Sequence, residues 1–403
     1  MSIVDAPFSL PAPREGCPFD PPPGYREPAP ASRVSLWDGT PCWLLTAYQD
    51  VRTALTDRRF SADARHPGFP FLSPGRRELV TDKPSFLRLD DPEHSRLRRM
   101  LTTDFLIKRV DAMRPQIQRI VDERLDAMLA LGSPVDLVAE LALPVPSLVI
   151  CDLLGVPYAD HDFFQEQSRR LLDNAASADS VRQALDRLTG YLRELATAKR
   201  ERFAGAGEEL AEADGILAKL AVREDLTVAE VASNGLLLLL AGHETTANMT
   251  SLSTLALLRN PEQAERLRAD PTLVRGAVEE LLRYLTIVHT GLPRVALEDV
   301  ELGGVAIAAG EGVLCMLATA NRDEELFADG SALDVERDAR RHLAFGFGVH
   351  QCLGQPLARA ELQIILETLL RRLPALRLAI PFEEVDFRTD ALIYGIRELP
   401  VAW

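Results

Sequence analysis

Apolar residues recur at every third or fourth position along most of the chain from Tyr48 to Arg283. That spacing places them on one face of an α-helix, so this part of the chain is predicted to be overwhelmingly helical. Residues 114–132, RPQIQRIVDERLDAMLALG, keep the period until Gly132, which signals the end of a helix. The chain is therefore predicted to be mainly α-helical, with only small β-sheets.

The β elements are predicted near the two ends of the chain. Residues 1–32 are rich in proline, which disfavours helix, and they are expected to form an extended arm on the surface. RVSLWDGTPCWLLT (33–46) has Asp-Gly between two β-prone runs and predicts a hairpin. Residues 291–310 and 376–403 alternate like short strands. Because there is no internal repeat and no flexible linker, we predict one large domain spanning 1–403.

Composition excludes several classes of protein. The chain has 45 Lys and Arg against 60 Asp and Glu, a net charge of −15, which argues against nucleic-acid binding. The apolar run GLLLLLAG (235–242) is far shorter than the roughly 20 residues of a membrane span. The first residues lack the features of a signal peptide, so we expect a soluble, monomeric, cytoplasmic protein. The 5 cysteines contain no C-x-x-C pair, which fits neither a disulfide framework nor a zinc ribbon.

One cysteine lies in a loop whose sequence suggests a catalytic or ligand-binding role. FGFGVHQCLG (345–354) is followed by an amphipathic helix, so Cys352 lies just before a helix N-terminus, where the helix dipole and free N–H groups are expected to lower its pKa. The glycines permit positive φ and let a flat ligand approach the backbone. Three interpretations remain open at this point: a structural cysteine, a nucleophile or zinc ligand together with His342 and His350, or a thiolate ligand of haem iron.

The loop resembles the haem-binding loop of the cytochrome P450 family, whose pattern is Phe-x-x-Gly-x-x-x-Cys-x-Gly. Phe345, Gly348, Cys352 and Gly354 occupy its four fixed positions. The resemblance implies the cytochrome P450 fold and a b-type haem that is not covalently attached. It also implies that Cys352 is the axial thiolate ligand of the iron, with Phe345, Gly346 and Gly354 against the cofactor.

A second segment combines polar residues with a long apolar helix. In LLLLLAGHETTANMT (236–250) a threonine hydroxyl can simply bond the carbonyl four residues back. Alternatively, Ala241, Glu244 and Thr245 face a common cavity, and Gly242 lets a small ligand approach. AGHETT resembles the oxygen-binding helix of the family. By that resemblance Thr245 steadies dioxygen, Glu244 relays protons for O–O cleavage, and Ala241 lies against the haem.

The resemblance implies a buried network that locks the cysteine loop. Glu280-x-x-Arg283 lies about seventy residues before the cysteine, as in the family, and Arg337 is the implied third partner. Such pairs are common on helix surfaces, and Glu265-x-x-Arg268 is interpreted as one of that kind. The segment before Arg337 lacks the prolines and second phenylalanine usual in the family.

The resemblance implies that four basic residues from separate segments hold the haem propionates. Arginine suits this role because it can bind both oxygens of a carboxylate. The four residues are His94, Arg98, Arg294 and His350. The resemblance extends over essentially the whole chain.

The resemblance implies a monooxygenase that inserts one oxygen atom of O2 into a C–H bond of an apolar small molecule. The chain has no flavin or iron–sulfur motif, so two electrons are expected from a ferredoxin and its NAD(P)H-dependent reductase. A positive docking face near the cysteine is hypothesised, consisting of Arg96, Arg99, Arg340, Arg341 and Arg359.

The substrate is expected to be a polyketide or macrolide, a sterol or a drug-like compound. The predicted pocket is closed by the 66–88 segment, a candidate lid, and its other lining residues are Leu87, Leu237, Leu240, Val288, Thr290 and Ile393. His289 is interpreted either as a polar guide in that pocket or as a core histidine. Other functions considered are a peroxide-driven enzyme, a haem sensor or carrier, and a biosynthetic enzyme that acts on a carrier-bound substrate or couples phenols.

Overall fold

The computed structural model describes residues 8, 10–25, 31–80, 83–173, 175–205 and 207–403, with only the backbone of residues 209 and 210. Residues 1–7, 9 and 26–30 of the predicted arm lie outside this description. The helices are α1 (Tyr48–Thr56), α2 (Pro74–Arg77), α3 (Glu93–Thr102), α4 (Ile107–Leu131), α5 (Pro144–Leu154), α6 (His161–Leu172), α7 (Ala178–Arg202), α8 (Glu208–Glu212), α9 (Ile216–Ala221), α10 (Val228–Arg259), α11 (Pro261–Ala269), α12 (Val274–Leu285), α13 (Leu317–Ala320) and α14 (Gln355–Arg372). The prediction of a mainly helical single domain is confirmed.

The strands are short, as expected. They are β1 (Ala31–Ser35), β2 (Pro41–Leu45), β3 (Phe60–Ser61), β4 (Val135–Asp136), β5 (Leu292–Ala296), β6 (Val300–Leu302), β7 (Val305–Ile307), β8 (Gly312–Cys315), β9 (Arg377–Leu378) and β10 (Pro400–Ala402). The largest sheet has the order β1-β2-β8-β5-β3, and a second sheet has the order β4-β10-β9. The predicted hairpin at 33–46 is confirmed as the antiparallel pair β1 and β2. In 376–403 only β9 and β10 are strands, and the rest is turns and isolated bridges.

Helix α10 is the centre of the helical body, where it packs against α5, α7 and α14. It starts with a capping box between Thr227 and Glu230, and it ends at Asn260, directly before a proline. Most of its side chains are buried on all sides, which explains its continuous apolar sequence. The predicted helix at 114–132 is the second half of α4, and Gly132 ends it at a φ of 81°. None of the described helices is both long and apolar enough to cross a membrane.

The described part of the arm packs into the domain more deeply than predicted. Phe19 and Tyr25 are buried, and the Tyr25 hydroxyl accepts a hydrogen bond from the Ala12 amide. The Arg14 guanidinium lies 3.6 Å from the centroid of the Tyr394 ring, and the Tyr394 hydroxyl donates to the Pro18 carbonyl. These aromatic and cation–π contacts bury the arm against the C-terminal segment.

Candidate functional site

The loop before α14 is folded so that the Cys352 sulfur remains accessible. Gly346 and Gly348 have φ of 67° and 73°, and a Cβ at Gly348 would collide with the Leu55 carbonyl. The Cys352 amide closes the loop with a 2.8 Å hydrogen bond to the Phe345 carbonyl. Gly354 has open space around its Cα, and Cys352 is exposed between half-buried neighbours. The loop therefore presents one thiol to an open space beside glycines.

The environment of Cys352 differs from the prediction. Burial among surrounding protein atoms raises the pKa of the thiol, although the residue is partly exposed. The Gly354 amide, Arg98, Arg359 and the Gln355 amide oppose this shift, but they do not overcome it. The expectation of a lowered thiol pKa is therefore wrong for the free protein. A metal ion deprotonates a coordinating thiol directly, so ligation does not require a lowered pKa beforehand.

A stripe of accessible residues crosses the otherwise buried middle of α10. Leu237, Leu240 and Thr245 are only half-buried and Ala241 is exposed. Their spacing of three to four residues places them on one helix face, as predicted. The Thr245 hydroxyl donates a 2.6 Å hydrogen bond to the Ala241 carbonyl, so the local back-bond considered from the sequence is also present.

Glu244 differs from the prediction because it does not face the space beside Ala241. It is buried, and its Oε2 lies 3.0 Å from Nη1 of Arg388, with which it forms an ion pair. The Asn248 amide donates to the Glu244 carbonyl at 2.8 Å, and it lies 3.4 Å from Oε2. Arg388 comes from the C-terminal segment, and no sequence signal marks it as a partner.

The expected role of Gly242 is also corrected. A Cβ at this position would lie 2.6 Å from Cγ1 of Ile150, on α5. The glycine therefore allows α5 and α10 to pack closely, and the structure gives no sign of local opening at this residue. The residue matters for helix packing, which a single sequence does not reveal.

A cluster of basic residues lies beside the cysteine loop. His94 is buried, and neither ring nitrogen has a hydrogen-bond partner among the described residues, although Nδ1 lies 3.5 Å from Asp91 Oδ1. The His350 Nδ1 also has no partner, and the two histidine rings are 4.2 Å apart. Nη2 of Arg98 donates to the Gln351 carbonyl at 2.6 Å. Buried nitrogens without partners indicate that a polar group is needed here.

The charges of this cluster favour an anion. Arg294 is buried, and burial lowers its pKa. Burial, with the positive charges of Arg294, His94, Arg98 and Arg88, lowers the pKa of His350 to about 3. Such a site stabilises negatively charged groups and disfavours cations. The four residues predicted from the sequence are therefore brought together, and Arg88 joins them without having been predicted.

The predicted locking network is present. Oε2 of Glu280 lies 2.6 Å from Nε of Arg283, with both side chains fully buried, and Oε1 lies 3.2 Å from Nε of Arg337. Arg283 also donates to the Asn321 carbonyl, and the Asn321 side chain accepts from the Leu343 amide at 2.7 Å. Leu343 leads into the cysteine loop, so the network fixes the start of that loop. Asn321 was not predicted.

The predicted pocket residues differ in how much surface they offer. The side chain of Leu87 is 39% exposed and Val288 is half-buried, whereas Thr290 and Ile393 are 0% and 7% exposed. The last two therefore contribute little to an accessible wall, contrary to the prediction. His289 is a core histidine, because it is buried and one ring nitrogen lies 2.7 Å from the Ala391 carbonyl.

Three of the five arginines of the hypothesised docking face are already paired. Arg96 contacts Glu93 and Glu230, Arg340 contacts Asp338, and Arg359 contacts Glu279. Arg99 and Arg341 contact no carboxylate among the residues that the structure describes. The face is therefore less positive than the sequence suggested.

Comparison with known proteins identifies the family. A sequence model described as cytochrome P450 matches residues 33–376. Cytochrome P450-SU2 of Streptomyces griseolus is 61% identical over 400 residues, covering 98% of this chain and 97% of the relative. Pentalenic acid synthase of Streptomyces avermitilis is 50% identical and covers 99% of this chain and 98% of its own.

Solved structures agree with the sequence comparison. The crystal structure of GfsF has a TM-score of 0.89 at 47% identity, and the match covers 99% of this chain and 100% of that one. The structure of CYP105P1 in complex with filipin I has a TM-score of 0.89 at 43% identity, with 99% of each chain covered. In sequence along its whole length and in fold, the chain belongs to the cytochrome P450 family, whose members are haem-dependent monooxygenases.

Proposed function

We propose that the protein inserts one oxygen atom of O2 into a C–H bond of a largely apolar small molecule, with two electrons from a ferredoxin. The observation that carries the proposal is the exposed Cys352 beside a cluster of basic residues, and the accessible face of α10 supports it. We further propose that the protein acts as a monomer in the cytoplasm. There an NAD(P)H-dependent reductase supplies electrons to the ferredoxin.

The residues present fit a haem. In our proposal Cys352 would ligate the haem iron, and Phe345, Gly346 and Gly354 would lie against the cofactor, with open space beside Gly354 for a flat ring. The unpartnered nitrogens of His94 and His350 give the propionates hydrogen-bond partners, and the two arginines of this cluster, Arg98 and Arg294, give them counter-charges. When bound, haem supplies the redox chemistry that activates dioxygen.

The chain's own contribution to this chemistry is the handling of protons. We assign Thr245 to the accessible face of α10, where its hydroxyl can exchange the Ala241 carbonyl for a ligand or water. Glu244 is the residue before Thr245, and Arg388 holds its carboxylate on the buried side of the same helix turn. A carboxylate that leaves its ion pair can carry a proton from solvent to the threonine hydroxyl, which is general acid catalysis.

The substrate class is proposed from the lining and from the relatives. Leu87, Leu237, Leu240 and Val288 give an accessible apolar surface suited to a hydrophobic compound. One relative, 43% identical and from Streptomyces fradiae, is named 20-oxo-5-O-mycaminosyltylactone 23-monooxygenase, and another, 48% identical, is named vitamin D3 dihydroxylase. These names support polyketides and sterols as the compounds to test first.

The first experiment is a substrate screen with purified, haem-loaded protein. A saturable Soret shift identifies binders, and turnover with a ferredoxin, its reductase and NADPH is followed by mass spectrometry. A product heavier by one oxygen atom supports the proposal. A product that consists of two coupled substrate molecules, with no oxygen atom added, would instead favour the phenol-coupling alternative. Protein that binds no haem would overturn the proposal.

The ferredoxin is proposed to dock near the cysteine loop, at Arg99 and Arg341, for which the described residues supply no carboxylate partner. In the double variant Arg99→Glu and Arg341→Glu, we expect the rate of electron transfer to fall about ten-fold at low salt, because repulsion slows encounter. Stopped-flow reduction measures this rate. Arg202→Glu, on α7 and 69% exposed in its side chain, is the control and leaves the rate unchanged. Equal rates in all three proteins would contradict this docking site.

A further inference from the structure

Arg88, at the edge of the proposed pocket, has a guanidinium group for which the described residues supply no hydrogen-bond acceptor. It ends the short 3-10 turn Phe86–Arg88, next to the exposed Leu87. Its guanidinium carbon lies 5.2 Å from the centroid of the Phe69 ring. Among the described residues no carboxylate or carbonyl accepts a hydrogen bond from this half-buried group. A half-buried cation without a partner is costly unless something else supplies the negative charge.

The charges around Arg88 are of its own sign. Burial, together with the nearby guanidinium groups of Arg294 and Arg76, lowers the pKa of Arg88 to about 10. Arg76 differs because it donates to the Leu172 carbonyl at 3.4 Å, and Asp173 opposes the effect of burial on its pKa. Arg88 is therefore the member of this group with no compensating charge within the described residues.

Binding of haem does not neutralise all the positive charge around Arg88. Two propionates carry two negative charges, and Arg98 and Arg294 carry two positive charges. His94 and His350 offer the propionates hydrogen bonds, because each has a ring nitrogen without a partner among the described residues. The positive charge of Arg88 is left over after this balance, beside an aromatic ring and an apolar side chain.

We propose that Arg88 binds a carboxylate on the substrate, so that the pocket selects amphipathic organic acids over their neutral analogues. The inference rests on the proposed function and deepens it. Leu87 supplies an accessible apolar surface next to the charge, as a carboxylate on a hydrophobic skeleton requires, and the buried Phe69 ring packs against the guanidinium. Arginine suits this role because its planar fork can hold both carboxylate oxygens.

The test compares matched pairs of ligands by Soret titration of the haem-loaded protein. The pairs are dodecanoic acid with methyl dodecanoate and 2-naphthylacetic acid with its methyl ester. Arg88→Gln removes the charge, Arg88→Lys retains it, and Arg202→Gln is a control on α7 whose side chain already pairs with Asp214. The rate of haem loss to an acceptor protein is measured for each variant as an independent readout.

We expect wild type to bind each acid more tightly than its ester. Arg88→Gln weakens the acids about 10- to 100-fold, as expected for the loss of a charge-assisted contact, and leaves the esters within about two-fold. Arg88→Lys restores part of the difference, and Arg202→Gln has no effect. An equal loss for acid and ester, or faster haem loss in Arg88→Gln, would assign Arg88 to the haem and overturn the inference. Wild type that prefers the esters would also overturn it. Either result leaves the monooxygenase proposal standing, because haem loading and ester binding test that separately.

Discussion

At the scale of single residues, the pairing of Glu244 with Arg388 is the main addition to what the sequence suggested. A carboxylate facing the same cavity as Ala241 and Thr245 was expected, but Glu244 is paired with an arginine 144 residues further along the chain. The ion pair holds the carboxylate away from the accessible face, so proton transfer requires it to separate. Arg388 is in this sense a positioning residue, because it acts on the reaction through Glu244.

This pairing leads to a prediction about turnover. Glu244→Gln is expected to lower kcat about 100-fold, which is the lower end of the range for a general acid. Arg388→Gln is expected to lower kcat less, by about ten-fold, because the carboxylate remains but loses its position. Substrate-induced Soret shifts stay unchanged in both, and the solvent isotope effect on kcat rises. If Arg388→Gln had normal kcat and isotope effect, the ion pair would have only a structural role.

At the scale of elements, two Glu-x-x-Arg pairs of identical spacing have opposite character. The pair of Glu280 and Arg283 is fully buried and linked to the cysteine loop, whereas the Glu265 side chain opposite Arg268 is 72% exposed. Spacing alone does not distinguish them, since both lie one helical turn apart. Tertiary burial makes the difference.

The two pairs form a matched experiment. Glu280→Gln leaves the Arg283 charge buried without its partner, which is expected to cost about 3–5 kcal/mol of stability. Because a domain is stabilised by only about 5–15 kcal/mol, we expect a large drop in melting temperature and poor haem retention. Glu265→Gln should behave like wild type in both assays. Similar melting temperatures for the two variants would show that the network does not support the loop.

The sequence predicted those elements and residues whose signal is local. The helical period, the hairpin and the cysteine loop are each contained in a short stretch, so the fold class and Cys352 followed from them. Arg88, Asn321 and Arg388 were missed because distant segments bring them to the site. The burial of Thr290 and Ile393 was missed for the same reason, since side-chain accessibility depends on packing across the whole core.

At the scale of the whole molecule, Glu279 links stability to pH. Burial raises the pKa of this carboxyl, but the hydrogen bonds and charges of His342 and Arg359 outweigh burial and hold the pKa at about 2, below its ordinary 4.5. A carboxyl with a depressed pKa stabilises the fold fully above about 4.5, and this stabilisation disappears as the pH falls towards 2. Its size is about 3 kcal/mol.

The corresponding prediction compares wild type with Glu279→Gln across pH. We expect the variant to melt at a lower temperature at pH 7 and the gap between the two proteins to narrow steadily from about pH 4.5 downwards. Glu265→Gln, exposed and unconnected to this cluster, serves as the reference. A gap that is constant from pH 7 to pH 3 would contradict the proposed linkage.

The burial of the N-terminal arm against the C-terminal segment has a consequence for synthesis on the ribosome. Arg14 and Pro18 find their partner only when Tyr394 has been translated, and β2 pairs with β8, which ends at Cys315. Contacts over such sequence distances form late, because a long loop must close first. The nascent chain therefore exposes Phe19 and the open edge of β2 until translation is almost complete. During that interval it needs protection from aggregation, so tags that delay release at the C-terminus are expected to reduce the yield more than tags at the N-terminus.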